Sequence, residues 1–288
     1  IPHCRKQKIP ISVSLVSVKI ALGEALRLAG RNEQALKMLQ SALSERDGLG
    51  PEHRVDVKFK VGSILHNIGR FDESTECFKE NLHEIGLDLP GRRALMVIGH
   101  LLDLIREFFM YLGLRKLVGA KPSSRVTMTT AILNKLGYSL YFQDLLTAWC
   151  VHFKAFVLAK RLNPCAEKAE AYSLHSVGCY QMFMKKRAMR YAKRSLWVAA
   201  SARRKDAIAF SEYLRGDIEF FRCHWKESDR HLRASISTFN SIGDFTNQIQ
   251  CHEPLWRMGL STGDLSQAEA GCRTTISLCN RAKERHFL

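Results

Sequence analysis

The sequence contains no run of eighteen apolar residues, only seven prolines and no Cys-x-x-Cys pair, and each absence removes a class of protein. The best apolar stretch, Ala94 to Leu114, is interrupted by His100, Asp103, Arg106 and Glu107, which predicts a buried helix rather than a membrane span. Seven prolines without a Gly/Ser-rich tract leave no composition for a long flexible linker. The nine cysteines (4, 77, 150, 165, 179, 223, 251, 272 and 279) are odd in number and irregularly spaced, which fits reduced thiols in a cytoplasmic protein and not a disulfide framework. The adjacent pairs Cys223-His224 and Cys251-His252 lack the spacing that lets one turn present two zinc ligands, so no metal site is read there. Lys6 and Lys8 break any signal-peptide core, and the chain, opening at Ile1 and ending inside a helical pattern, reads as a piece of a longer polypeptide.

Catalytic signatures are missing too. The sequence has no G-x-x-x-x-G-K-[ST] loop, no H-E-x-x-H and no G-x-S-x-G. His66, His83, His100, His152 and His175 are scattered along the chain, as helix-surface and core histidines are. These absences argue against an enzyme and against a bound cofactor. At 46% hydrophobic and 25% charged residues the composition is nevertheless that of a chain able to bury a core.

The organising signal is a glycine with a period near forty, its spacing extended through Ser176 and Trp256. Gly23, Gly62, Gly99, Gly137, Ser176, Gly216 and Trp256 follow one another at gaps of 39, 37, 38, 39, 40 and 40 residues. Such a fixed period across helical sequence marks a solenoid. Within a unit, Leu22-Gly23 is followed by Gly30-Arg31, Ala35, Leu39 and Ala42, and Val61-Gly62 by Gly69-Arg70-Phe71, Phe78 and Leu82. Glycine at the turn ends one helix in the left-handed conformation, and small residues let two helix axes approach. The expectation is an all-α solenoid of about seven helical hairpins, one domain over 1–288. Its sub-blocks are 12–90 (units 1 and 2), an irregular unit 3 over 91–125, and 126–288 (units 4 to 7). Arg92 to Val118 reads as one long helix followed by a loop from Gly119 to Ser124, the place where the superhelix would change direction. Pro254, inside the first helix of unit 7, predicts a helix start or a kink.

Small-Gly at the eighth place, Gly at the fifteenth and Ala at the twentieth and twenty-seventh resemble the tetratricopeptide repeat, closely in units 1, 2 and 7 and loosely in units 4 to 6. That resemblance implies a right-handed superhelix. A finer one rests on Ile85-Gly86-Leu87-Asp88-Leu89-Pro90, Leu140-Tyr141-Phe142-Gln143-Asp144-Leu145 and Phe239-Asn240-Ser241-Ile242-Gly243-Asp244. In that order these motifs resemble the repeat region of multidomain signalling ATPases, which join an ATPase module to a cyclase or kinase output. The resemblance implies a protein-interaction and regulatory scaffold. Its partners would be proteins, peptides or the other domains of the same polypeptide.

In tetratricopeptide arrays the second, fifth, ninth and twelfth places of the first helices line the concave face. Here those places hold the acids Glu24, Asp56, Asp103, Glu170, Asp217 and Glu253 against the bases Arg27, Arg93 and Arg257. The whole chain carries 44 basic against 28 acidic residues, so the positive excess is expected on the outer helices. Its densest cluster is Lys185, Lys186, Arg187, Arg190, Lys193 and Arg194, either a dock for an acidic surface or nucleic acid or a solvated outer face. Asn134, Tyr138, Tyr141, Tyr180, Tyr213, Asp217 and Phe220 fall on the concave side in mid-chain, either to recognise a partner or to pack between units. The Lys and Asn places of a tetratricopeptide carboxylate clamp are not matched.

Overall fold

The computed structural model describes residues 15–45, 49–112, 122–141 and 143–282, and among these every regular element is a helix. Six antiparallel hairpins follow the chain: α1 (Leu15–Leu28) with α2 (Asn32–Ser44), α3 (Pro51–Asn67) with α4 (Phe71–Glu84), α6 (Ser124–Tyr141) with α7 (Leu145–Ala159), α8 (Ala166–Gln181) with α9 (Lys185–Ser201), α10 (Lys205–Phe221) with α11 (Trp225–Ile242), and α12 (Phe245–Thr262) with α13 (Leu265–Ala282). Between the second and third hairpins lies α5 (Arg93–Tyr111), which has no hairpin partner among the described residues. Gly119 and Phe142 fall outside the described residues.

Hairpins close where a small residue on one helix meets a large side chain on the other. A Cβ on Gly23 would lie 2.8 Å from the Leu39 side chain, one on Gly62 2.8 Å from the Phe78 ring, and one on Gly216 2.8 Å from Leu232. The sixth hairpin inverts the arrangement: Trp256 occupies the glycine's place, and Gly271 on α13 lies against it, with its Cβ position 2.7 Å from that of Trp256. Two hairpins add the same polar ties. Ser74 and Ser228 donate to the carbonyls of Gly62 and Gly216, each at 2.9 Å, while Asn81 donates to Val55 O at 2.9 Å and Ser235 to Ala209 O at 2.8 Å.

Neighbouring hairpins share one continuous apolar seam. Leu36 and Leu39 of α2 pack with Val61 and Ile64 of α3, and Val55, Phe78 and Leu82 pack with Ile132, Leu136 and Val151. Phe153 and Phe156 meet Tyr172, Tyr191 and Val198, and Phe220, Leu232 and Phe239 meet Leu255 and Met258. Burying aliphatic and aromatic side chains of this size contributes about 2 kcal/mol each, so a repeat depends on its neighbours for stability.

The turn residue explains why the sequence pattern is clear at the two ends and blurred in the middle. Left-handed backbone joins the helices of five hairpins, at Gly30 and Gly69, at Gly263, and at Phe183 and Cys223. Only glycine takes this conformation without a Cβ clash. The fourth and fifth hairpins therefore lack the turn glycine that announces the first, second and sixth. Asp144 and Asp244 start α7 and α12 by accepting the amides of Thr147 and Asn247 at 3.2 and 3.1 Å. Pro254 does not start α12, which runs through it.

Unit 3 is irregular, as expected, and consists of the single helix α5 among the described residues. The second hairpin stacks directly on the third, through Ser74 of α4 to Ser139 of α6 at 3.1 Å, His66 of α3 to Ser139 at 2.8 Å and Gln143, just past α6, to Thr75 of α4 at 3.1 Å, so the solenoid passes this point without a missing step. α5 lies outside as an insertion alongside α7. Arg93 reaches Asp144 at the start of α7, His100 packs on Phe153, and Glu107 reaches Lys160 just past its end, so the two helices run parallel. The predicted burial of its apolar stretch is corrected: Ile98, Leu101, Leu102, Ile105 and Phe108 are each more than half exposed, whereas Asp103 is 5% exposed. The cause is on its inward side, where Glu107 pairs with Lys160 at 2.6 Å and Arg187 at 3.0 Å. Even so, no helix among the described residues is long and apolar enough to cross a membrane.

Gly99 keeps the period but not the job, because nothing lies within 4 Å of its Cβ position. Gly62→Val is therefore expected to cost about 2–3 kcal/mol through overpacking against Phe78, whereas Gly99→Ala should add about 0.5–1 kcal/mol of helix propensity. Urea unfolding of the two variants measures both signs.

Candidate functional site

The concave side is lined by α6, α8, α10 and α12, the first helices of the last four hairpins. Their curvature brings residues more than a hundred positions apart into one cluster. Tyr138 of α6 hydrogen-bonds Gln250 of α12 and faces Asp217 and Glu253, and Tyr213 of α10 faces Tyr138, Asp217 and Glu253. Of the predicted concave residues, the structure thus joins Tyr138, Tyr213 and Asp217. Asn134, 1% exposed, lies one turn before Tyr138, and its amide donates to Glu167 O at 3.1 Å. Tyr141 and Tyr180 form a rim: the Tyr141 hydroxyl accepts from Gln181 at 3.1 Å, and the Tyr180 hydroxyl donates to Phe221 O at 3.0 Å. Phe220 does not offer a surface. It is buried with Leu232, Phe239 and Leu255, because its place one turn beyond Asp217 points into the seam between α10 and α12.

Gln250 and Lys135 escaped the sequence reading. Gln250 holds the second place of the last unit, but it is uncharged and a count of charges passes over it. Lys135 donates to Glu170 at 2.7 Å and stands 5.8 Å from the Phe210 ring. Burial disfavours its charge, but Glu170, Asp244 and Asp206 outweigh that and hold its pKa up.

Lys60 pairs with Glu24 and Asp56 and Lys135 with Glu170, so the excess acid on the concave side lies at Asp217 and Glu253. Asp103 and Arg93 belong to α5 and leave the concave tally, which keeps Glu24, Asp56, Glu170, Asp217 and Glu253 against Arg27 and Arg257. Arg257 is committed to Glu253 at 3.2 Å and to the Phe220 ring at 5.3 Å. Half-buried Asp217 has no ion pair of its own among the described residues; burial first, and Glu253 second, push its carboxyl up to about 7 against the opposing charge of Arg257. Burial likewise drives the Tyr213 phenol far above its ordinary range. These tyrosines are neutral contact surfaces and not proton donors near neutrality.

On the outer face the six-residue basic cluster divides. Arg187 turns inward to Glu107, and Arg194 stacks over the Tyr172 ring at 5.7 Å. Lys185, Lys186, Arg190 and Lys193, with Met189 and Arg222, line an open depression of about 510 Å³. A second hollow of about 700 Å³ sits where α5 departs from the stack, lined by charges of both signs including Lys58, Glu80, Asp88, Arg93 and Asp144.

The titratable groups in the middle of the molecule belong to its core. His175 stacks on Phe156 at 3.6 Å and accepts from Arg187 Nε at 3.3 Å, so its Nε2 is unprotonated. Burial pushes Cys179 up to about 11, far from a reactive thiolate, and takes His152 down to about 4. Cys223 is exposed and Cys251 is buried against Ser235 at 3.3 Å, so the two Cys-His pairs play different parts. Because the unfolded chain binds a proton at His152 near pH 6.5 and the folded chain near 4, stability falls as pH drops through that window. The loss amounts to about 3 kcal/mol once both forms are protonated, and His152→Gln should give a shallower dependence of melting temperature on pH.

No protein-family model matches the chain, and no curated protein matches it. Among solved structures it is similar to the Rap protein complexed with competence and sporulation factor. The identity is 12%, the TM-score 0.53, and the match covers 94% of this chain and 79% of that one. At that identity the likeness is one of fold, and it identifies the chain as a tetratricopeptide-like helical repeat.

Proposed function

We propose that this chain is a protein-binding regulatory region of a larger signal-transduction protein, engaging partner segments through the concave face of α6, α8, α10 and α12. The observation that carries this reading is the cluster of Tyr138, Tyr213, Asp217 and Gln250, assembled from three helices by the superhelix. Tyrosines give rigid contact area with a polar tip, the composition of protein recognition sites. The solved structure this chain resembles was determined with a bound factor, which agrees with this use of the fold. The resemblance of the motifs from Ile85 to Pro90, Leu140 to Leu145 and Phe239 to Asp244 to the repeat region of signalling ATPases supports a position beside an ATPase and its output domain, and the absence of a disulfide among the eight described cysteines fits the cytoplasm.

A second reading has its own observation. The open depression of Lys185, Lys186, Arg190 and Lys193 leaves four cations with no acid beside them among the described residues, which suits a nucleic-acid backbone on the outer face. One pair of variants separates the readings. Tyr138→Ala with Tyr213→Ala should abolish capture of the protein partner and lose regulation of the full-length protein. Lys186→Glu with Arg190→Glu should leave both intact and show no salt-dependent RNA affinity to lose. The reverse pattern would replace the concave reading with the outer one.

A further inference from the structure

The chemistry of the concave cluster is lopsided in a second respect besides charge: it accepts hydrogen bonds and offers few. The side-chain oxygen of Gln250, a residue only 7% exposed, has no partner, although its amide serves Tyr138. The side-chain oxygen of Asn134 has none either. The Gln250 main-chain carbonyl also loses its helical donor, because residue 254, four places on, is a proline inside α12. Asp217 adds a carboxylate with no ion pair, beside Glu253, which shares one arginine with the whole cluster.

Buried polar atoms are almost always hydrogen-bonded, and acceptors left without donors cost roughly 1–3 kcal/mol each. A cluster of such atoms at one place in a binding face is a stored demand for N–H groups. An ammonium or guanidinium supplies several N–H donors and a compensating charge together.

We infer that the concave face takes a cationic segment of a partner protein, an extended stretch whose lysine or arginine side chain lies against Asp217 and Glu253 and whose N–H groups reach the oxygens of Gln250. The inference rests on the concave-face reading above and adds the class of partner. The Tyr138–Gln250 hydrogen bond between α6 and α12 closes the face in the free protein, so the arriving side chain parts the two helices and takes over the acceptors. An acidic segment is disfavoured: it would bring like charge to a carboxylate already held up to about 7.

The free protein also carries a signature of this role. A half-buried carboxylate without a partner lowers stability, so Asp217→Asn is expected to raise the melting temperature by a few degrees. A structural role for Asp217 predicts the opposite sign.

The test is to pan a random heptapeptide display library on the whole chain, then measure the affinity of fluorescein-labelled selected peptides for wild type, Asp217→Asn, Tyr213→Ala and Lys186→Glu. Selection of Lys- or Arg-bearing peptides, weakened at least tenfold by Asp217→Asn and not by Lys186→Glu, is expected. Selection of acidic or apolar peptides, sensitive to Tyr213→Ala but not to Asp217→Asn, overturns the cationic partner and leaves the concave face standing. Peptides sensitive only to Lys186→Glu, or no enrichment, overturn both.

Discussion

Four of the six hairpins close where one helix presents no side chain and the other presents a large one, and the later features depend on that close approach. Gly23, Gly62 and Gly216 bring the axes near enough for Leu39, Phe78 and Leu232 to seal the seam, and the serine ties to the glycine carbonyls form at the same crossings. Because the Trp256–Gly271 pair achieves the same closure with the partners exchanged, the requirement is for complementary volume and not for glycine at a fixed address. Stacked at similar spacing, the hairpins then curve, and curvature brings Tyr138 to Gln250 across three hairpins.

The curvature also sorts charge. The inward places of the first helices hold Glu24, Asp56, Glu170, Asp217 and Glu253 against Arg27 and Arg257, while the densest basic cluster of a chain at net +16 lies on the second helix α9. The sorting is incomplete in an informative way. Two of the six residues in the densest basic cluster, Arg187 and Arg194, serve the interior, one through Glu107 and the other over Tyr172. The four that remain are exposed together, while inside the curve Asp217 is left over after Arg257 has been used. The two faces would therefore select partners of opposite charge.

Much of the architecture was legible in the sequence because its cause is local. The spacing of glycines located four of the six hairpin crossings in register, and the glycine turns marked the first, second and last hairpins. The fourth and fifth were blurred because Phe183 and Cys223 hold a left-handed turn that their residue types do not advertise. Unit 3 was legible as irregular, one long helix without a clear second, but Gly99 keeps the interval without facing anything, which spacing alone does not reveal. The candidate site was half legible. Periodicity gave the helix face of Tyr138, Tyr213 and Asp217, but the meeting of α6 with α12 depends on the summed curvature of the intervening hairpins. Phe220 sat at an apparently equivalent place and went into the core.

The inserted helix α5 couples surface to core. Its polar side faces in and its oily side faces water, so its orientation is set by Glu107 gripping Lys160 and Arg187. Arg187 is the same side chain that donates to His175 inside the aromatic stack of the central seam. A body that took hold of the leucines of α5 and lifted it would therefore tug, through a single arginine, on the middle of the solenoid. The appendage and the spine are mechanically one piece.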